Sequence, residues 1–224
     1  KQRAFYAKGD TKIPEYRKYH LNKMYETIKK YEKEISKALF DDLHKSEYEA
    51  YITEVGLVKR EIKHQLSLID KYSKPCRASS SIFVLNSKSE IYYEPYGLTL
   101  IVSPWNYPFH LALMPLVGAV AAGNCAILKL SPDAKATNSV IRKIIESVFD
   151  KEYVAVLEGH REVNEYLFSK PFEHIFLTGS PELGKVAMKA AANHLAKVTL
   201  ELGGKSPCII DKDANIEMAV KRIT

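Results

Sequence analysis

The segment from His174 to Lys185 reads HIFLTGSPELGK, an apolar run ending in Thr178-Gly179-Ser180 and followed by Pro181. Glycine frees the backbone at a turn, serine suits the cap of a helix, and proline is preorganised for the first helical position. A helix opened in this way presents free N–H groups and the positive end of its dipole, which can seat a pyrophosphate. The same residues also suit an ordinary strand-to-helix turn, and the common dinucleotide fingerprint G-x-G-x-x-G is absent here.

Three further segments carry groups with chemical potential. In Val102 to Pro108, VSPWNYP, two prolines fix backbone angles and two aromatics are expected to anchor the loop by packing, so that the Asn106 amide is held as a donor. A fixed amide donor can stabilise a developing oxyanion, and an asparagine can equally satisfy its own turn. In Leu200 to Pro207, LELGGKSP, Glu201 ends a predicted strand beside Gly203-Gly204, where a carboxylate could swing as a general base or pair with Lys205. Lys129 closes the run Ala126-Ile127-Leu128, where a cation beside a cofactor crevice could hold ribose hydroxyls or phosphate, or simply be a solvated strand end.

The elements that must position these groups follow from periodicity. Leu21, Met24, Ile28, Tyr31, Ile35 and Leu39 step by three or four and predict an amphipathic helix within Thr11 to Lys45. Ser46 and Glu49 form a capping box that starts a second helix, with Tyr48, Ile52, Val55, Ile62, Leu66 and Ile69 as its buried face up to Lys74-Pro75. Strand texture follows from Ser81 to Val102, carried by Ile82, Val84, Ile91, Tyr93, Leu98, Leu100 and Val102 around a Pro95-Tyr96-Gly97 turn. Strands at Cys125 to Leu130, Tyr153 to Leu157, His174 to Thr178 and Lys197 to Leu202 then alternate with helices near Pro108 to Ala122, Ala136 to Phe149, Glu162 to Phe168 and Glu182 to His194. That rhythm predicts an α/β fold: a doubly wound, mostly parallel Rossmann-like sheet preceded by an amino-terminal helical hairpin. The expected division is a helical region over 1–80 packing on a nucleotide-binding α/β domain over 81–224.

Composition narrows the classes. A chain of 224 residues that is 46% hydrophobic buries a sizeable core. No run of about 18 apolar residues occurs, so no membrane span is expected, and the absence of a signal-peptide pattern at Lys1 makes a cytoplasmic location the default expectation. The net charge of +6 comes from Lys and Arg interleaved with Glu and Asp, as in Lys29 to Lys37, which predicts solvated helix faces rather than a nucleic-acid surface. Cys76, Cys125 and Cys208 are too few and too scattered for a disulfide framework or a Cys-x-x-Cys metal site.

Taken together and in this order, PWNYPF, VGAVAAGN, HIFLTGS and LELGGKSPC resemble the aldehyde dehydrogenase superfamily, specifically its class 3-like branch acting on medium and long aliphatic or aromatic aldehydes. The opening segment SEYEAYITEVG from Ser46 to Gly56 extends the resemblance to most of the chain. The resemblance implies NAD- or NADP-dependent oxidation of an aldehyde to a carboxylic acid through a cysteine thiohemiacetal and thioester. It implies Asn106 as oxyanion donor, Glu201 as general base, and Lys129, Thr178, Gly179, Ser180, Gly184, Leu202 and Gly203 as cofactor-binding residues, with no metal. It also implies a homodimer for the complete enzyme, with a small-molecule aldehyde as the partner.

Two departures qualify what is carried over. In the family the lysine equivalent to Lys129 is commonly followed by proline, a small residue and glutamate, whereas here Leu130, Ser131 and Pro132 follow and Asp133 is the nearest acid. NADP then becomes as acceptable as NAD. The family's nucleophilic cysteine lies a few dozen residues after the base, so it is expected beyond Thr224, with Cys125 and Cys208 as small core residues. The start at Lys1 and the helical pattern running through Asn215 to Thr224 carry the same expectation of an amino-terminal portion, inactive alone. The competing readings are an acylating or semialdehyde-type dehydrogenase and a non-catalytic dinucleotide-binding module.

Overall fold

The computed structural model describes residues 1–81, 83–84 and 86–223. A short helix α1 (Gln2–Tyr6) leads into the long α2 (Pro14–Leu43), whose Leu21, Met24, Ile28, Ile35 and Leu39 are buried while Tyr31 sits at the rim of the core. After α2 the Ser46 hydroxyl accepts the Glu49 N–H at 3.2 Å and opens α3 (Glu47–Ala50). A π-helical turn over Tyr51–Val55 then connects to α4 (Gly56–Tyr72).

That turn corrects the expected face of the second helix. A π turn inserts a residue into the helical repeat and rotates everything that precedes it. Tyr48 and Ile52 therefore point to solvent, and the buried face runs through Ala50, Glu54, Val55, Val58, Ile62 and Ile69. Gly56 permits the close approach at the end of this turn, because a Cβ there would lie 2.8 Å from the Tyr51 carbonyl oxygen.

The strand texture before Val102 is also less regular than expected. Among the described residues only β1 (Cys76–Ala78) and β2 (Ser89–Ile91), paired antiparallel, and β3 (Leu98–Val102) form. Val84 lies in a bend and is exposed, Tyr93 is in no strand, and Ile82 lies outside the described residues. Gly97 supplies the turn into β3 at φ +127°, a conformation other residues rarely adopt.

From β3 onward the chain alternates as its periods require: α5 (Pro108–Ala121), β4 (Cys125–Leu130), α6 (Lys135–Val148), β5 (Val154–Glu158), α7 (Arg161–Phe168), β6 (His174–Gly179), α8 (Pro181–Ala192), β7 (Lys197–Leu202) and a terminal helix α9 (Ile216–Ile223). The five strands form one parallel sheet in the order β5-β4-β3-β6-β7. All five residues of β3 are buried, as a strand at the centre of a covered parallel sheet must be. Because the order reverses after β5, right-handed crossovers put α5 and α6 on one face and α8 on the other.

The helical hairpin is fastened to this sheet layer. α2 packs on α6, and α4 packs on α5. The Asp42 carboxylate accepts the backbone N–H groups of Ala136 and Thr137 at 3.1 and 2.7 Å, satisfying donors that the first turn of α6 cannot satisfy itself. The Gln2 amide reaches the Ala126 carbonyl oxygen at 2.8 Å, tying α1 to the start of β4.

Candidate functional site

In an open α/β sheet the crevice for a ligand forms where strand order reverses, at the carboxyl ends of the two diverging strands. Here those strands are β3 and β6, and a cavity of about 1120 Å³ lies at their ends. Its wall draws Ser103 to Asn106 from the end of β3, Lys129 and Ser131 from β4, Gly159 to Arg161 from β5, Thr178 to Ser180 from β6, and Glu201 to Gly203 from β7. Loops separated by up to a hundred residues are thus brought together by the sheet.

The turn into α8 forms as its sequence dictates. Ser180 is the N-cap, its hydroxyl accepting the Leu183 N–H at 3.3 Å, and Pro181 occupies the first turn. The role expected of Gly179 is corrected: its backbone is not in the left-handed region, and an added Cβ would make only ordinary contacts with Leu183 and Leu177 at 3.5 and 3.6 Å. Gly184 does not line the cavity. A Cβ there would meet Leu202 at 3.1 Å, so its small size lets α8 settle onto β7 beneath the turn.

Lys129 is 4% exposed at the end of β4, far from a solvated strand end. Burial holds its ammonium below the usual lysine range, with nearby Asp133 acting in the opposite direction. Among the described residues no carboxylate reaches ion-pair distance of it. Asp133 instead accepts the Ser131 hydroxyl at 3.1 Å. The result is a buried cation at the cavity wall whose donors meet no acceptor among the described residues.

The Asn106 loop is held differently from expectation. Trp105 is 54% exposed and Asn106 and Tyr107 are also exposed, so aromatic packing does not anchor it. The Lys45 ammonium instead donates to the Asn106 carbonyl oxygen at 2.9 Å and lies 3.8 Å from the centre of the Tyr107 ring. Fully buried Glu54 pairs with Lys45 at 2.7 Å, and its second oxygen accepts the Phe109 and His110 N–H groups at 2.9 and 3.1 Å. Asn106 itself lines the cavity.

Glu201 is the register partner of Thr178 and is exposed toward the cavity. Among the described residues it forms no ion pair, so the alternative pairing with Lys205 is not made.

The sequence profile of the aldehyde dehydrogenase family matches residues 2–224. The chain belongs to that family. It is 42% identical over 221 residues to the 4,4'-diaponeurosporen-aldehyde dehydrogenase of Staphylococcus aureus, covering 99% of this chain and 48% of that protein. Mouse aldehyde dehydrogenase family 3 member B1 is 36% identical over the same share of this chain and 47% of its own. In three dimensions the chain matches the substrate-bound state of Staphylococcus aureus AldH with a TM-score of 0.90 and 42% identity, over 99% of this chain and 48% of that one. It also matches the betaine aldehyde dehydrogenase of Staphylococcus aureus in complex with NAD+, with a TM-score of 0.83 and 27% identity over 98% and 44% of the two chains. The chain therefore spans about half the length of the aldehyde dehydrogenases it matches, and its relatives include class 3 members.

For an aldehyde dehydrogenase the cysteines matter, and none of the three is at the cavity. Cys125 is buried at the opposite, amino-terminal end of β4, and burial pushes its thiol up to about 12. Cys76 is exposed on β1. Cys208, expected as a small core residue, is instead exposed in an irregular segment, 203–215, whose residues are all exposed.

Sequence reasoning missed the β5 contribution to this cavity. Gly159 adopts φ +151° and a Cβ there would lie 2.3 Å from Val163, which forces the chain close to α7 and delivers His160 and Arg161 to the wall. The available signal was a glycine two residues after a predicted parallel strand, at the end of the sheet where ligands bind.

Proposed function

We propose that this chain is the cofactor-binding portion of an aldehyde dehydrogenase that oxidises an aldehyde to a carboxylic acid with NAD or NADP. The observation that carries the reading is the convergence of Asn106, Lys129, the α8 N-terminus and Glu201 on one cavity at the strand-order reversal. We further propose that 1–80 serves as a helical support for a nucleotide-binding unit over 81–224. The complete enzyme would be a cytoplasmic homodimer. No helix among the described residues is long and apolar enough to cross a membrane.

The residues present fit a dinucleotide. The Thr178 hydroxyl and the Asn164 amide oxygen are buried without a partner among the described residues, and both residues line the cavity. Buried polar groups require partners, and a ligand rich in hydroxyl and phosphate groups supplies them. In this reading Lys129 holds the adenosine ribose. Thr178, Gly179 and Ser180 seat the pyrophosphate on the N-terminal end of α8, with Gly184 setting the helix at the right depth. Leu202 and Gly203 border the nicotinamide end. The bound cofactor supplies the electron acceptor for aldehyde oxidation.

The protein's own groups supply the rest. The Asn106 amide donates a hydrogen bond to the oxygen that gains charge when a thiolate adds to the aldehyde carbonyl. That addition gives a thiohemiacetal; once it has been oxidised to the thioester, Glu201 takes a proton from the water that cleaves the thioester, releasing the carboxylic acid and the thiolate. A general base at this position favours hydrolysis over transfer to another acyl acceptor. We place the nucleophilic cysteine outside residues 1–224, since Cys76, Cys125 and Cys208 all lie away from the cavity. The test is aldehyde-dependent formation of reduced nicotinamide by the full-length protein. Tight binding of NAD+ without turnover of any aliphatic or aromatic aldehyde would replace this reading with that of a non-catalytic dinucleotide binder.

A further inference from the structure

We infer that Lys45 and Glu54 are positioning residues for the reaction, a clamp through which the helical hairpin sets the backbone that carries the Asn106 amide. The inference rests on the reading of Asn106 as the oxyanion donor. Tyr107, the N-cap of α5, makes no side-chain cap bond. A serine or aspartate at that position would satisfy the first turn locally. The fold instead imports a fully buried carboxylate, Glu54, from more than fifty residues earlier, and the π turn over Tyr51–Val55 is what rotates it inward.

A buried charge is costly unless it is fully paired, and Glu54 is paired on both oxygens. One oxygen fixes the first two N–H donors of α5 beyond Pro108. The other fixes the Lys45 ammonium, which is then held against the Asn106 carbonyl oxygen and the Tyr107 ring face. Among the described residues the Lys45 bond is the single hydrogen bond to Asn106. The clamp thus takes the backbone oxygen of Asn106 and leaves its amide side chain for the cavity. A rigid backbone with a free amide is what preorganised oxyanion stabilisation requires, since a donor misplaced by about 1 Å loses on the order of a hundredfold in rate.

The experiment uses the full-length protein with Lys45→Met, Lys45→Arg, Glu54→Gln and Asn106→Ala, and the double variant Lys45→Met with Asn106→Ala. Lys45→Met is expected to lower kcat by about ten- to a hundredfold while leaving the NAD+ dissociation constant within about twofold. Lys45→Arg restores most of the loss. The double variant is no slower than Asn106→Ala alone, because the clamp has nothing left to position. In hydrogen exchange the amides from Asn106 to His110 open faster in Lys45→Met, a readout independent of turnover. Should Lys45→Met fail to fold, Glu54→Gln, which keeps the shape and removes the charge, carries the same expectations. Losses that simply add in the double variant, or unchanged exchange, would overturn the clamp. An impaired Asn106→Ala beside an unimpaired Lys45→Met overturns this inference alone, whereas a wild-type rate in Asn106→Ala overturns the reading of Asn106 and this inference with it.

Discussion

Thr178 and Glu201 are partners in the parallel register of β6 and β7. The candidate base therefore sits one strand away from the turn proposed to seat the pyrophosphate, at the same height in the sheet. Adjacent parallel strands lie about 4.8 Å apart, so water activated by Glu201 would be delivered beside the bound cofactor.

Glu201→Gln in the full-length protein is expected to slow aldehyde oxidation by about a hundredfold or more, the usual worth of a general base, with cofactor affinity unchanged. Steady-state rates and a NAD+ titration measure the two quantities. A loss confined to cofactor binding would move Glu201 out of the base role.

Ser180→Ala removes the hydroxyl that accepts the Leu183 N–H. Urea unfolding should show a loss of about 1 kcal/mol, and NAD+ should bind several-fold more weakly because the frayed first turn no longer presents its N–H groups. Stability lost with affinity retained would place the pyrophosphate elsewhere.

Cofactor choice follows from the sequence Lys129-Leu130-Ser131, which lacks an acid beside the lysine, and from the bond that occupies Asp133 with the Ser131 hydroxyl. The dissociation constants of NADP+ and NAD+ are expected to lie within about tenfold of each other. Lys129→Met should weaken both. A preference for NAD+ of several hundredfold would show that Asp133 turns to the ribose when the cofactor arrives.

The three thiols should separate cleanly. Cys76 and Cys208 are exposed, so a disulfide-exchange reagent at mildly alkaline pH labels them in the native protein. Cys125, buried and with its thiol pushed up to about 12, reacts only after unfolding. Native labelling of Cys125 would mean that the β4 end of the sheet opens readily.

Burial lowers the proton affinity of the His20, His110 and His174 imidazoles, as desolvation penalises the charged ring. The unfolded chain titrates at the ordinary value of 6.5 while the folded chain resists protonation. As pH falls through that value the unfolded state binds more protons, so stability decreases. The urea midpoint should drop between about pH 7.5 and pH 5.5. The drop should be smaller in His20→Gln, which removes the ring packed between Tyr16 and Phe149.

What the sequence determined by itself was chiefly what depends on near neighbours along the chain. Short apolar, β-forming runs alternating with helical periods located β4 and β7 to the residue and α6 and α8 to within a turn. The Ser180-Pro181 cap and the Ser46 cap were legible because a cap joins residues three apart. The order of four short motifs was enough to indicate the family. Tertiary structure alone decided which of those motifs meet. The reversal of strand order between β3 and β6 gathers Asn106, Lys129, Ser180 and Glu201, and no local pattern encodes strand order.

The π turn was hidden for a related reason. A period of 3.6 read from Tyr48 and Ile52 looks continuous, and only packing against α5 rewards the inserted residue by turning Glu54 toward a helix end that needs it. The same physics kept Lys45 invisible, because in sequence it is one more lysine in a charged stretch. It becomes a buried partner of Asn106 only when α2, α4 and α5 close around it, and contacts across sixty residues depend on the fold that creates them.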